Sequence, residues 1–304
     1  SLFGCIVCLS RLSLVIMPMK SYTGGVSHSY RKTIMLSIGV DEQRGIWKTC
    51  LMEDGQVLEL SSFEDTASVL TYLEYTCATY PEPMMMVALD KSHWDSGTLE
   101  EFLIAIDSMN LNSYTIPPLR ALSSLPSYRR LMHDLGEAHV LCNVVTLLYR
   151  MRRRDAGWQE MRFLFLDVDG RASSVAVIEE GRIVNGMVTA LLETREQQPH
   201  DQPAADSDVA EEAFWEQLTQ TLGGLLAVHH IEDIVILGDR ADEVIAHLDG
   251  SYQFYLFPRE QQEQEGYEAA TGAALLAEGF YAPGIAAEVV EQLQISLVQS
   301  PTFS

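Results

Sequence analysis

The sequence predicts an α/β protein of two successive lobes, and three observations carry that reading. The chain has 304 residues with 47% hydrophobic content, enough to bury a substantial core in two domains of about 120–150 residues each. Strand-like runs alternate with helical periodicity along most of its length. An opening pattern, a strand ending in an acidic residue followed by an antiparallel hairpin and then helices, occurs once in each half.

In the first half the pattern begins at residues 33–41, an apolar run that ends Gly39-Val40-Asp41. Residues 46–51, the turn Glu53-Asp54-Gly55 and residues 56–60 read as strand, hairpin and strand. Residues 65–80 have helical spacing, 84–89 read as a buried strand, and 98–109 read as a second helix. Asp134, with Glu137 three residues later, has the capping-box pattern ahead of an apolar helix through Val140, Val144, Leu147 and Leu148. That helix links the halves.

The second half repeats the opening. Residues 163–169 form a strand ending Asp167-Val168-Asp169, 173–178 are its partner, and Glu179-Glu180-Gly181-Arg182 turns into 183–188. Residues 193–212 are polar, contain Pro199 and Pro203, and read as a loop entering the helix of Phe214, Trp215 and Leu218. Strand, helix, strand and helix follow at 234–237, 241–248, 253–257 and 266–280, with a last helix at 285–293. This alternation extends each meander into a mainly parallel sheet. The expected organisation is a leader at 1–33, a first lobe at 34–154 and a second at 155–304.

Charge narrows the partners. The formal net charge is -23, from 43 acidic and 20 basic residues, and binding along a phosphate backbone needs clustered Lys and Arg. Nucleic acid is therefore not expected. The one basic cluster, Arg150, Arg152, Arg153 and Arg154, follows a helical pattern, where cations favour the C-terminal dipole. Five cysteines do not form a disulfide framework, which points to a reducing, cytoplasmic setting. Cys5 and Cys8 make an isolated C-x-x-C without a second pair. The apolar stretch at residues 2–17 is too short to span a bilayer and is broken by Arg11, so no membrane association is expected.

Chemistry concentrates at the strand ends. Small residues in tight turns let backbone amides approach phosphates, and carboxylates hold a hard cation through oxygen. Gly39 and Asp41 supply such a pair in the first half, and Asp167, Asp169 and Gly170 in the second. An aspartate after a strand is also an ordinary turn residue, and that alternative stands beside each. Gly238-Asp239 ends a third apolar strand, where the glycine serves either ligand approach or packing. Ala269-Ala270-Thr271-Gly272-Ala273-Ala274 forms a small-residue helix face suited to tight packing.

Taken together, Gly39-Val40-Asp41, Leu125-Pro126 with Arg129 and Arg130, Asp134-Leu135-Gly136, Val175-Ala176-Val177 with Gly181-Arg182-Ile183-Val184, and Ala270-Thr271-Gly272-Ala273-Ala274-Leu275 resemble the predicted butyrate kinase family. That family lies within the actin-like ATPase superfamily of acetate and sugar kinases, heat-shock ATPases and actin, and the similarity runs over about residues 34–295. The resemblance implies a two-lobed, ribonuclease H-like fold with mixed sheets. It implies magnesium-ATP as cofactor and phosphoryl transfer to a small acceptor such as a carboxylate. Catalytic and metal roles would fall to Asp41 and Asp167, and nucleotide contacts to Gly39, Asp134, Gly136, Asp169, Gly170, Gly238, Asp239 and Gly272. Oligomerisation is left open.

This sequence departs from the pattern at several points. Glu42-Gln43-Arg44 follow Asp41 where the superfamily has Asp-x-Gly-Thr, and Glu137, His139 and Val140 replace threonine, aspartate and lysine after Asp134. The usual two-glycine phosphate turn is Asp169-Gly170. Extra carboxylates repel a polyphosphate unless metal offsets them, so reduced or lost turnover is an expectation too. Two other readings compete. One is a noncatalytic nucleotide sensor or interaction scaffold. The other is a haloacid-dehalogenase-like phosphatase, in which Asp167 would be nucleophile and Asp169 general acid, although Arg171 stands where that class has threonine and all four lysines precede the motif.

Overall fold

The computed structural model describes residues 36–299, apart from 44, 81–82, 90–95, 110–111, 132–133, 171, 191–206, 249, 260–263 and 297. The leader at 1–33 and its cysteine pair lie outside the described residues. So does most of the loop expected at 193–212, and its end differs from expectation because the following helix already begins at Ser207.

The first sheet opens with the meander β1 (Leu36–Gln43), β2 (Ile46–Glu53) and β3 (Gln56–Phe63). Helix α1 (Thr66–Thr79), β4 (Met84–Leu89), α2 (Ser96–Ser108) and β5 (Asn112–Thr115) follow. Helix α3 (Ala138–Arg153) leads to a second meander, β6 (Phe163–Asp169), β7 (Ala172–Glu179) and β8 (Arg182–Ala190). Then come α4 (Ser207–His229), β9 (Asp233–Leu237), α5 (Ala241–His247) and β10 (Gln253–Leu256). Helices α6 (Glu268–Tyr281) and α7 (Ile285–Leu293) and the short β11 (Val298–Gln299) close the described chain.

Turn chemistry fixes the hairpins. Asp54 and Gly55 both have positive φ, 47° and 74°, as do Glu180 and Gly181 at 53° and 73°. Two such residues give a turn whose twist matches the flanking strands. Asp65 caps α1, its carboxylate accepting from the Ser68 amide at 2.8 Å. The capping box expected at Asp134 does not form. Gly136 has φ of +119°, which breaks the helical path, so α3 starts at Ala138 and Asp134 instead accepts from the Gly136 amide at 3.2 Å.

Both sheets have one topology. The first runs β3-β2-β1-β4-β5 and adds β11 beside β5, and the second runs β8-β7-β6-β9-β10. In each, the first three strands are antiparallel and the next two are parallel to the first. This duplicated order is the two-lobed actin-like ATPase, ribonuclease H-like fold. Strands β5 and β11 had no periodic signal in the sequence: one is the polar Asn-Ser-Tyr-Thr and the other only two residues long.

Side-chain alternation sorts the layers. Leu36, Ile38 and Val40 of β1 pack outward with Val69 and Leu73 of α1 and Phe102 and Ile106 of α2. Leu164, Leu166 and Val168 of β6 pack outward with Phe214 and Leu218 of α4 and Val244 of α5. The inner faces share one core, in which Met84, Met86, Phe163 and Phe165 meet residues of α3, α6 and α7. Three helices are therefore enclosed between the two sheets. Residues of odd number on β1 and β6, including Asp41 and Asp167, face this interior.

Glycine sets how closely the inner helices approach. A Cβ on Gly39 would lie 1.9 Å from the Ala270 carbonyl oxygen of α6, and one on Gly272 would lie 1.9 Å from the Cys142 carbonyl oxygen of α3. Backbone cannot yield as a flexible side chain does, so Gly39→Ala should destabilise by about 1–3 kcal/mol. Gly224 on α4 has open space at its Cβ position, and Gly224→Ala should be neutral or stabilise by up to about 1 kcal/mol. Urea unfolding of both variants checks this, and equal midpoints would contradict it.

Candidate functional site

Asp41 and Asp167 occupy equivalent places in the two repeats. In β1, Gln43 pairs with Ile46 across a two-residue connection, and Asp41 sits two residues before it. In β6, Asp169 pairs with Ala172 across an equal connection, and Asp167 sits two residues before that. Each also lies beside the parallel strand, Asp41 opposite Ala88 of β4 and Asp167 opposite Leu237 of β9. Inner-face parity then turns both carboxylates toward the helices between the sheets.

Their surroundings penalise charge. Asp41 is 2% exposed, and burial pushes its carboxyl up to about 7; Lys48, its cross-strand partner, opposes this, while Glu42 and Asp167 add to it. One of its oxygens, Oδ2, accepts from Gln43 at 3.0 Å, while Oδ1 is buried without a hydrogen-bond partner. Asp167 is half-buried. Burial pushes it up to about 7 as well, the Asn143 amide of α3 donates to its Oδ2 at 2.8 Å and opposes the rise, and Asp169, Glu268 and Asp239 reinforce it. The other side of that amide, Asn143 Oδ1, is also buried without a partner.

Three functional candidates were not legible as motifs. Asn143 is the polar exception in the buried run from Val140 to Leu148, shared only with Thr146, whose hydroxyl is bound to the Glu268 carbonyl at 2.8 Å. Lys48 could have been found by counting across the hairpin, since Gln43 opposite Ile46 places Asp41 opposite Lys48. Glu268 opens α6, is 4% exposed and lies 3.3 Å from Arg259. Its distance in sequence from either strand hides it.

The glycines and turn residues divide. Gly39 and Gly272 are explained by helix packing. At Gly238, with φ of +117°, a Cβ would lie 1.8 Å from the Val168 carbonyl oxygen, so this glycine lets β9 end against β6. Asp239 stands next to the other turn, its carboxylate accepting from the Gly170 amide at 3.1 Å. Asp134 and Gly136 lie on a separate loop, where the Asp134 carbonyl accepts from Val188 of β8 and the Gly136 carbonyl from Leu119. Val188 pairs with Ser174, and Ser174 with Asp167, so the β8 residue that this loop binds is two strand spacings, roughly 10 Å, across from Asp167.

The donor set suits a hard divalent cation. The carboxylates of buried Asp41 and half-buried Asp167 and the orphaned Asn143 amide oxygen are all oxygen ligands, and magnesium keeps several waters when bound by one or two carboxylates. Among the described residues no three His, Cys, Asp or Glu side chains form a cluster able to hold an ion alone. The phosphate side fits less well. At the first turn the Glu42 carboxylate accepts from the Gly45 amide at 2.7 Å, and at the second Asp239 holds Gly170. Both turn amides already serve a carboxylate, Gly45 on the outer-face side of β1 and Gly170 at the end of β9.

Residues 78–210 match the model of a family described as a protein of unknown function (DUF1464). No curated protein sequence matches the chain. Similar solved structures include the inorganic polyphosphate/ATP-glucomannokinase of Arthrobacter sp. strain KM, 16% identical over 85% of this chain and 99% of that one, with a TM-score of 0.44. Component A of (R)-2-hydroxyglutaryl-CoA dehydratase from Acidaminococcus fermentans is 13% identical over 80% and 97%, with a TM-score of 0.41. Acetate kinase from Entamoeba histolytica is 8% identical over 70% and 86%, with a TM-score of 0.42. Among the described residues no single helix is long and apolar enough to cross a membrane.

The raised carboxyls fix a sign for pH. Between the ordinary carboxylate pKa and about 7, the folded state binds more protons at Asp41 and Asp167 than the unfolded chain does. Stability from these groups therefore falls as pH rises from about 4 to about 7 and stays low above it. Without divalent cation, Asp41→Asn should flatten this part of the profile and melt several degrees above the parent at pH 8. Thermal melts across pH check this; a variant profile parallel to the parent's would contradict it.

Proposed function

We propose that the β1–β2 and β6–β7 turns flank a cleft that binds a magnesium nucleotide, and that the protein derives from ATP-dependent phosphoryl transfer to a small acceptor such as a carboxylate. The observation that carries this is the pair Asp41 and Asp167: equivalent strand positions, one buried and one half-buried, both raised, with partnerless oxygen on Asp41 and on the Asn143 that holds Asp167. Bringing two carboxylates out of water is costly unless a cation compensates them. The resemblance to the predicted butyrate kinase family supports the nucleotide and acceptor. In this reading Asp41 and Asp167 hold the cation through oxygen and water, Asn143 orients Asp167, and Lys48 lies beside Asp41. Magnesium, when bound, neutralises phosphate charge.

A second reading, a noncatalytic nucleotide sensor or scaffold, draws on the carboxylates already seated on both turn amides. Slow or absent transfer is compatible with binding in this cleft. The phosphatase reading loses its sequence motive, because the strand carrying Asp167 continues into the β6–β7 hairpin and repeats the plan of β1–β2. The long segment before Asp167 is the first repeat.

Titration calorimetry with magnesium-ATP separates these readings. Asp41→Asn and Asp167→Asn should each weaken magnesium-dependent ATP binding by about tenfold, a reasonable loss for one metal-site contact. Hydrolysis of a generic phosphate ester, abolished by Asp167→Asn and untouched by Asp41→Asn, would instead favour the phosphatase. Absence of ATP binding in the unaltered protein would favour the scaffold.

A further inference from the structure

The two turns facing the cleft have opposite sequences around their glycines, yet each ends with its glycine amide held by a carboxylate. At the β1–β2 turn the donor is Gly45, with φ of +80°, and the acceptor is Glu42 Oε1 at 2.7 Å. At the β6–β7 turn the donor is Gly170, with φ of +60°, and the acceptor is Asp239 Oδ1 at 3.1 Å. The two acceptors come from different places. Glu42 is on the same strand as Asp41 but pairs with Trp47 of the outer core, so it lies on the outer face and is 3% exposed, whereas Asp239 reaches across from the end of the parallel strand β9. Repetition of one strand plan does not account for this, since the repeat would give both acceptors the same origin.

A carboxylate on a turn amide occupies the geometry that a phosphate oxygen would take, because both are anionic acceptors of a backbone N–H. It also leaves a negative charge there. With Asp41, Asp167 and Asp169 on the same side, a polyphosphate arriving at the β6–β7 turn meets repulsion and finds its donor engaged. We propose that Asp239 is a specificity-determining residue whose carboxylate occupies a phosphate position at the β6–β7 turn, so that the site holds the phosphates of its nucleotide more weakly than the free turn would while retaining its cation site. The inference rests on the reading of the cleft as a nucleotide site, and it identifies the residue that restricts that site.

Arg240 bears on the second turn as well. Its Nη1 donates to the Gly170 carbonyl at 3.2 Å, while its other nitrogens hold Glu243 and Glu211. It clamps the same turn from the carbonyl side without approaching the amide. Removing the Asp239 carboxylate therefore frees the Gly170 N–H and leaves this clamp in place. Asp239 is exposed, so its replacement leaves the core untouched.

The test uses the full chain with inorganic tripolyphosphate and magnesium-ATP as probes and adenosine as a phosphate-free control, measured by titration calorimetry. Asp239→Ala should tighten tripolyphosphate binding by about tenfold, the scale of one removed charge a few ångströms away at an intermediate dielectric, and leave adenosine unchanged. A folded Asp239→Ala with unchanged or weaker tripolyphosphate binding overturns the proposal, even where the parent binds magnesium-ATP and the nucleotide reading stands. A gain in tripolyphosphate affinity with no ATP binding in the parent upholds the proposal and refutes magnesium-ATP as the parent's ligand.

Discussion

The close backbone approach of α6 to β1 is the constraint on which the remaining structure depends. Gly39 admits the Ala270 carbonyl at a distance no side chain would allow, and Gly272 does the same for α3 at Cys142. Because α3 and α6 are thereby drawn against each other and against the first sheet, they can fill the space between two sheets and offer both inner faces one apolar core. The same approach brings Asn143 of α3 to Asp167 and Glu268 of α6 into its field. Packing and site electrostatics have a single origin.

That arrangement imposes a cost on the inner face. Odd-numbered residues of β1 and β6 must be small or apolar where helices cover them, as Gly39 and Phe165 are. Asp41 and Asp167 break this rule at the same register in both repeats. An isolated break would be an accident of sequence, but the coincidence of two, with Asp41 Oδ1 and Asn143 Oδ1 left without partners, is the motive for the proposed cation. Natural proteins violate local consistency at functional sites.

Much of this was legible in the sequence because it rests on local signals. Apolar runs with acidic ends marked β1 and β6, Asp54-Gly55 and Glu180-Gly181 announced the β2–β3 and β7–β8 hairpins, and strands β4 and β6 fall at the residues their apolar runs predict. The illegible parts depend on long-range pairing. β11 is two residues whose only role is to meet β5, and Asp239 reaches Gly170 across 69 positions. Asp134 misled for a local reason: the capping-box spacing was present, but Gly136 adopts a left-handed conformation that delays the helix. Gly238 and Gly272 were ambiguous between ligand approach and packing until the carbonyls of Val168 and Cys142 were seen to fill the space.

The central claim is that Asp41 and Asp167 form one cation site between the repeats. Crystals of the protein soaked in manganese, with anomalous diffraction recorded at the metal edge, test it most directly. The account predicts an anomalous peak between the two carboxylates, lost in Asp41→Asn. A well-occupied manganese site elsewhere, with none between Asp41 and Asp167, would contradict it.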